Sequence, residues 1–436
     1  MKKGRWYFVM LVLLLTLPLT TIFIAASKVV SEASPTTKTL RVGALFPQTG
    51  SLAFGAANAI QGVTLAVEMY NQRNPHGIRV ELVTADAPDP AGGTSAVRHL
   101  ITQERVDVVI GTYSSAIAAA AAPAAERLNI PYLETTAFAE RITRMTKNVL
   151  RTTISSGALG AAAADFILTG LARQLGVEES ALRVAILFTD DEFGTSIADA
   201  ALARFQRSRA RLVLRESYPA ATTSDLSSVL MRIQREQPHA VIHVAQVADA
   251  VLFWRQAQQL NVNIPAVIGT GGGYGQVEFA RPLGPNADGI FNVVPPTSGS
   301  INTASLSPAA QALLRDLRAL VAQRGWTQGP YTDWAFIGTW VFLNEVVPRA
   351  KSFSIADIEA AAIQVRIEAR DSITGFGFEF AGPDHPNSGQ NLRAVPVVQQ
   401  WQGGTLRVTY PADFAVAKFV NVPLPPWAQR PHLIGR

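Results

Sequence analysis

Short, nearly unbroken runs of Val, Ile, Leu and Ala recur between amphipathic stretches, and this alternation limits the folds open to the chain. The runs are Leu40–Phe46, Ile78–Ala85, Val106–Gly111, Val149–Arg151, Arg183–Phe188, Leu212–Ser217, Ala240–Ala245 and Ala266–Gly269. Continuous apolar character of this kind is what parallel strands covered on both faces require. Between them, Ile60, Val63, Val67 and Tyr70 fall at helical spacing, as do Leu226, Val229, Leu230 and Ile233. Repeated strand–helix–strand units imply right-handed crossovers and open, doubly wound sheets. The rhythm runs twice, over Leu40–Ser155 and Ser156–Gly289, so the expected fold class is α/β with two Rossmann-like lobes. Helices are expected at Pro308–Arg324 and Tyr331–Pro348, and strands at Thr374–Phe380 and Ala394–Val408. Gln402-Gly403-Gly404 supplies a hairpin turn within the last of these.

With 48% hydrophobic and 16% charged residues over 436 positions, the chain has ample material for sizeable cores, and disorder is excluded. It has no cysteine. Disulfides, thiolate metal sites, thiol catalysis and a lipid anchor on an N-terminal Cys are therefore all excluded. Lys2, Lys3 and Arg5 precede an uncharged run, Trp6–Ser27, which marks residues 1–27 as a signal peptide or a membrane anchor. The run is longer than a usual signal core and just long enough to span a bilayer, so both fates stay open. Either way the remainder is exported. Residues 28–39 read as a Ser/Thr/Pro linker and 423–436 as a Pro-rich tail. The net charge of +5 is modest, and the run Arg204, Arg207, Arg209, Arg211 and Arg215 fits a solvated helix end. No nucleic-acid partner is expected.

The motifs of common enzymes are missing. The loop after the first strand, Pro47-Gln48-Thr49-Gly50-Ser51, has one glycine where a dinucleotide site needs three. The cluster Gly269–Gly275 lacks that spacing too. Gly194-Thr195-Ser196-Ile197-Ala198 approaches a nucleophile elbow but ends in Ala at a helix start. His239 and His243 sit four apart on a strand, which separates their rings by ~13 Å and suits no shared metal. Asp190, Asp191 and Glu192 stand where acids favour a helix dipole without catalysis. No catalytic residue, metal or cofactor is expected, and the chain reads as a binder.

Val42-Gly43-Ala44-Leu45-Phe46-Pro47-Gln48-Thr49-Gly50, then Phe54-Gly55 and Gly62–Glu68, resembles the opening of type I periplasmic solute-binding proteins. These are the leucine/isoleucine/valine-binding-protein-like receptors of ABC importers. Val109–Ser115, the Ala-rich helix after it and Ile130-Pro131-Tyr132-Leu133 are similar to the family's second landmark. Phe193-Gly194, Asp249–Ala257 and Ala287–Ile290 add weaker matches. The resemblance implies the type I periplasmic-binding-protein fold, with hinge crossings near Ser155–Ser156, Gly289–Asn292 and Ser372–Thr374. Lobe 1 is then 40–155 plus 292–373, and lobe 2 is 156–291 plus 374–422. It implies a small-molecule solute bound between the lobes and ABC permease membrane subunits as partners, in a periplasmic or other extracytoplasmic location. The alternative role is a membrane-tethered ligand-sensing ectodomain, in contact with the membrane through the N-terminal segment.

Ser114 and Ser115 follow a strand and open a helix, where free amides and hydroxyls suit a carboxylate or serve only as caps. The resemblance adds Thr136, Ala137 and Phe138 on the same lobe, and Phe193, Gln246 and the loop at Gly271 on the other. Phe54 is either an apolar wall of the site or core. Amino-acid binders commonly carry Thr or Ser where Phe138 stands, an acid in the loop of Gly271, Tyr at Phe193 and Asp near Ser156. An ammonium buried without an acidic partner is costly. The departures therefore point away from a leucine-type zwitterion, toward a small carboxylate- or amide-bearing solute with an apolar or aromatic body.

Overall fold

The computed structural model describes residues 38–219, 222–412 and 414–430. The leader 1–27, most of the linker 28–39 and the tail end 431–436 lie outside the described residues. Lys38 and Thr39, expected in the linker, already pair with Ile78 and Arg79 as the start of the first strand.

Five strands form the first sheet: β1 (Lys38–Phe46), β2 (Ile78–Asp86), β3 (Val108–Gly111), β4 (Tyr132–Glu134) and β5 (Val149–Arg151). Their order is β2-β1-β3-β4-β5, parallel throughout. The second sheet takes β6 (Arg183–Thr189), β7 (Arg211–Tyr218), β8 (Ala240–Val244), β9 (Val267–Thr270), β10 (Phe291–Val294), β11 (Val397–Gln402) and β12 (Thr405–Tyr410). Its order is β12-β11-β10-β9-β8-β6-β7, with only β11 and β12 antiparallel to their neighbours. Central strands such as β3 and β8 are buried at every residue, which is why their sequences run apolar without alternation.

Ten helices of eight or more residues cover these sheets among the described residues. They are α1 (Ala53–Arg73), α2 (Pro90–Thr102), α3 (Ser115–Arg127), α4 (Ser156–Phe166), α5 (Glu192–Phe205), α6 (Ser227–Glu236), α7 (Val247–Gln259), α8 (Pro308–Gln323), α9 (Pro330–Val341) and α10 (Ile355–Ala362). The α1–α9 crossing is close because Gly62 carries no side chain: a Cβ there would lie 2.4 Å from the Thr332 carbonyl oxygen. No helix of the described residues is long and apolar enough to cross a membrane.

Two crossings differ from expectation. β10 is hydrogen-bonded within the second sheet through Val294, so the chain returns to the first lobe only after it. There the Trp334 indole donates to the Pro296 carbonyl at 3.1 Å, and the Ser298 amide donates to the buried Asp333 carboxylate at 2.8 Å. The segment 374–391, expected with lobe 2, stays on the first lobe. Gln390 bridges beside Arg151 and donates to the Thr153 carbonyl at 2.7 Å, and Asn391 donates to Thr152 at 2.9 Å. Thr374–Phe380 forms only isolated bridges, at Phe378 and Phe380, rather than a strand. The third crossing therefore falls between Asn391 and Val397. The tail packs on the second lobe, where the Trp427 indole donates to the Val262 carbonyl at 2.8 Å.

The second lobe buries a polar trio. His243 bonds the Tyr274 hydroxyl through Nδ1 at 2.7 Å and the Tyr218 hydroxyl through Nε2 at 3.0 Å. Burial pulls the imidazole down to about 3. The unfolded chain, with an ordinary His, takes up a proton below pH 6.5 while the folded one does not. Stability should therefore fall as pH drops from 6.5 toward 3, by roughly 1.4 kcal/mol per pH unit from this group. Urea titrations of wild type and His243→Gln at pH 7 and pH 5 should show the wild type's margin over the variant shrinking by about 2 kcal/mol at pH 5; a margin unchanged with pH would mean that His243 does not carry this dependence.

Candidate ligand-binding site

Strand order places the site. In the first sheet β1 lies between β2 and β3, so the connections leaving its neighbourhood diverge to opposite sides. In the second sheet β6 lies between β7 and β8 in the same way. A crevice opens outside the carboxyl ends of the strands at each such point. The two crevices face each other. A cavity of about 630 Å³ is lined from the first lobe by residues that include Phe54, Asp89, Tyr113 and Ser114, and from the second by residues that include Asp191 and Gln246–Asp249. That volume suits a small molecule.

Deeper in, the lobes touch. The Tyr113 hydroxyl donates to Gln246 Oε1 at 2.9 Å, and the Gln276 amide donates to the Tyr113 oxygen at 3.4 Å. Burial pushes the Tyr113 hydroxyl up to about 12, so it stays a donor at neutral pH. The Tyr113 ring packs on Tyr331 at 4.8 Å, and Phe138 meets Trp334 at 5.9 Å and Phe193 at 6.4 Å. Only about 20 Å³ is left among these side chains. Gly271, at φ +63°, faces Phe138, whose ring lies 3.1 Å from where a Cβ would stand. Phe138 thus fills the space that a side chain at 271 would need.

The loops beneath this floor are held by two buried ionisable side chains, Glu134 and Arg151. Glu134, fully buried, accepts the amide N–H groups of Thr112 at 2.7 Å, Thr136 at 3.0 Å and Ala137 at 2.9 Å. Burial pushes its carboxyl up to about 8, against the pull of those amides and of Arg151. Arg151, also buried, donates to the carbonyls of Phe138 and Ala139 at 2.9 and 2.6 Å, and to Gln390 Oε1 at 2.6 Å.

Phe54, Ser114 and Gln246 line the large cavity; Ser114, Ser115, Phe138, Phe193 and Gln246 line the small void. Phe54 is 63% exposed, which removes the core alternative for it. Thr136 and Ala137 line neither space. Their amides are committed to Glu134, and the Thr136 hydroxyl donates to the Thr112 carbonyl. Ser115 Oγ accepts from the amides of Phe138 at 3.3 Å and Ala139 at 3.2 Å, bonds that do not use its own O–H. The Thr136 and Ala137 amides expected to hold a carboxylate are thus taken by Glu134. Sequence reasoning passed over Tyr113, Asp191, Asp249 and Tyr331. Tyr113 and Asp191 had a signal, since each directly follows a strand's carboxyl end. Tyr331 had none, because the turn that brings it to the cleft lies far along the chain.

The chain belongs to the periplasmic binding protein family, which matches residues 39–405. This is an extracytoplasmic family of solute-binding proteins, not enzymes. The chain is 29% identical over 399 residues to Leu/Ile/Val-binding protein homolog 7 of Brucella suis, covering 91% of this chain and 98% of that one. The branched-chain amino acid transporter substrate-binding protein of Streptococcus pneumoniae, in complex with isoleucine, superposes with a TM-score of 0.70 at 20% identity. That match covers 86% of this chain and 100% of the other. An R. palustris ABC-transporter solute-binding protein in complex with 4-hydroxybenzoate gives 0.70 at 19% identity, over 88% and 98% of the two chains. At these identities the structural likeness speaks to the fold, which is that of two-lobed type I periplasmic binding proteins.

Replacing Glu134 by Gln turns one acceptor oxygen into an NH₂ group facing an amide donor. Leaving a buried donor unsatisfied costs about 1–3 kcal/mol. Glu134→Gln should therefore lower the unfolding free energy by that amount, read as a fall in the urea midpoint at unchanged slope, and an unchanged midpoint would show that the three amides do not depend on the carboxyl group.

Proposed function

We propose that this protein captures a small solute in the cleft between its lobes and delivers it to an ABC permease. The observation that carries this reading is the meeting of the two switch-point crevices in one cavity of about 630 Å³. Both lobes supply lining residues, so a bound solute couples to hinge motion between them. Leu52, Phe54, Tyr113 and Ile117 offer an apolar and aromatic surface for the body of the solute, with Ser114 and Gln246 at hand for a polar group. Isoleucine and 4-hydroxybenzoate, bound by the S. pneumoniae and R. palustris proteins, share a compact apolar body of that scale.

Thermal denaturation against a panel of branched-chain amino acids, aromatic and aliphatic acids, amides and amines tests capture. A solute at about a thousand times its Kd adds ~4 kcal/mol of stability, which for lobes near 200 residues raises Tm by roughly 10 °C. At least one class should give such a shift, and cells lacking this chain should take up that solute more slowly. Uptake that is unaffected by its loss would sink the transport role.

A further inference from the structure

Resting on the solute-capture reading above, we propose that the solute is an amine cation on a compact apolar or aromatic body, its ammonium taken by Asp191 and Asp249. The lining of the large cavity includes three carboxylates, Asp89, Asp191 and Asp249, and no Lys, Arg or His. Two of the three have structural work on one oxygen. Asp89 Oδ1 accepts the Gly92 amide at 2.7 Å and caps α2; Asp191 Oδ1 accepts the Gly194 amide at 2.8 Å and the Thr189 hydroxyl at 3.0 Å and caps α5. A helix N-terminus carries only about half a unit charge, so capping leaves each of these sites negative.

Asp249 is different. It lies in the first turn of α7, is only 4% exposed, and its Oδ2 has no hydrogen-bond partner among the described residues. Burial, with Asp191 adding to it, pushes its carboxyl up to about 6, as expected of an acid that lacks a counter-charge. A buried acceptor with no partner among the described residues is accounted for by a donor that a solute brings.

Several first-lobe amides near the cleft are committed within the protein: those of Thr112, Thr136 and Ala137 go to Glu134, and those of Phe138 and Ala139 go to Ser115 Oγ. Ser51 and Ser114, the latter at the start of α3, bring serine hydroxyls of that lobe to the cavity. A cation also gains from the rings of Phe54 and Tyr113, whose faces attract positive charge. The cleft therefore answers an acid-for-ammonium need from lobe 2, with residues other than the loop at Gly271.

Titration calorimetry on the purified chain with matched probes tests this. Isopentylamine and benzylamine carry the amine alone, isovalerate and benzoate the acid alone, and leucine both. The amines should bind and the acids should not. Asp249→Asn and Asp191→Asn, which keep an acceptor at each position, should weaken amine binding roughly ten- to a hundredfold. The melting temperature of each unliganded variant separates a lost contact from a lost fold. Binding of isovalerate or benzoate with the amines silent overturns the proposal, as does binding of leucine alone, which would make the carboxylate essential. Amine binding unmoved in a folded Asp249→Asn overturns the role given to that residue. Silence in every arm counts against solute capture itself, a distinct failure.

Discussion

A buried carboxyl and a buried guanidinium organise the floor of the cleft. The backbone between Thr135 and Ala139 belongs to no strand or helix, so its polar groups must find partners elsewhere in the interior. Glu134 gathers amides from two loops, and Arg151 gathers carbonyls from the far end of the same segment. Together they satisfy a loop whose other purpose is to aim Phe138 across the cleft. Losing either would strand several backbone groups at once, and this is why charged residues are tolerated at sites with almost no exposure. Gln390 joins this arrangement by accepting from Arg151, which ties the late segment 374–391 to the first lobe.

The contrast between Phe138 and Gly271 has the same geometric logic. One lobe presents a large ring, and the other presents a glycine whose positive φ and lack of Cβ leave room for it. A side chain at 271 would meet the ring, whose nearest atom lies 3.1 Å from where a Cβ would stand. Asp191 and Asp249 approach the cavity from other elements and so escape that conflict.

Much of the architecture could be read from the sequence because parallel strands buried on both faces announce themselves as unbroken apolar runs. β4 and β10, of three and four residues, escaped that reading. The third crossing was misplaced because the pairing of Gln390 with Arg151 is set by side chains 239 positions apart, beyond any local signal. The site was half legible. Ser114, Phe193 and Gln246 follow strands directly, so topology alone sends them to the cleft. The competition of Glu134 for the amides of Thr136 and Ala137 could not be seen without knowing which way the carboxylate turns.

The aromatic contact of Phe138 with Phe193, and the Tyr113–Gln246 bond beside it, join the two lobes directly. Opening the hinge would wet both rings and give up that bond. Part of the free energy of closure therefore comes from the protein's own contacts rather than from the solute. Trimming Phe138 would then alter affinity by repopulating the open form, although that ring sits beneath the larger cavity rather than in it. Binding strength in such a receptor is partly a property of the seam, inherited by every solute alike, while selectivity resides in the few polar groups that line the space above it.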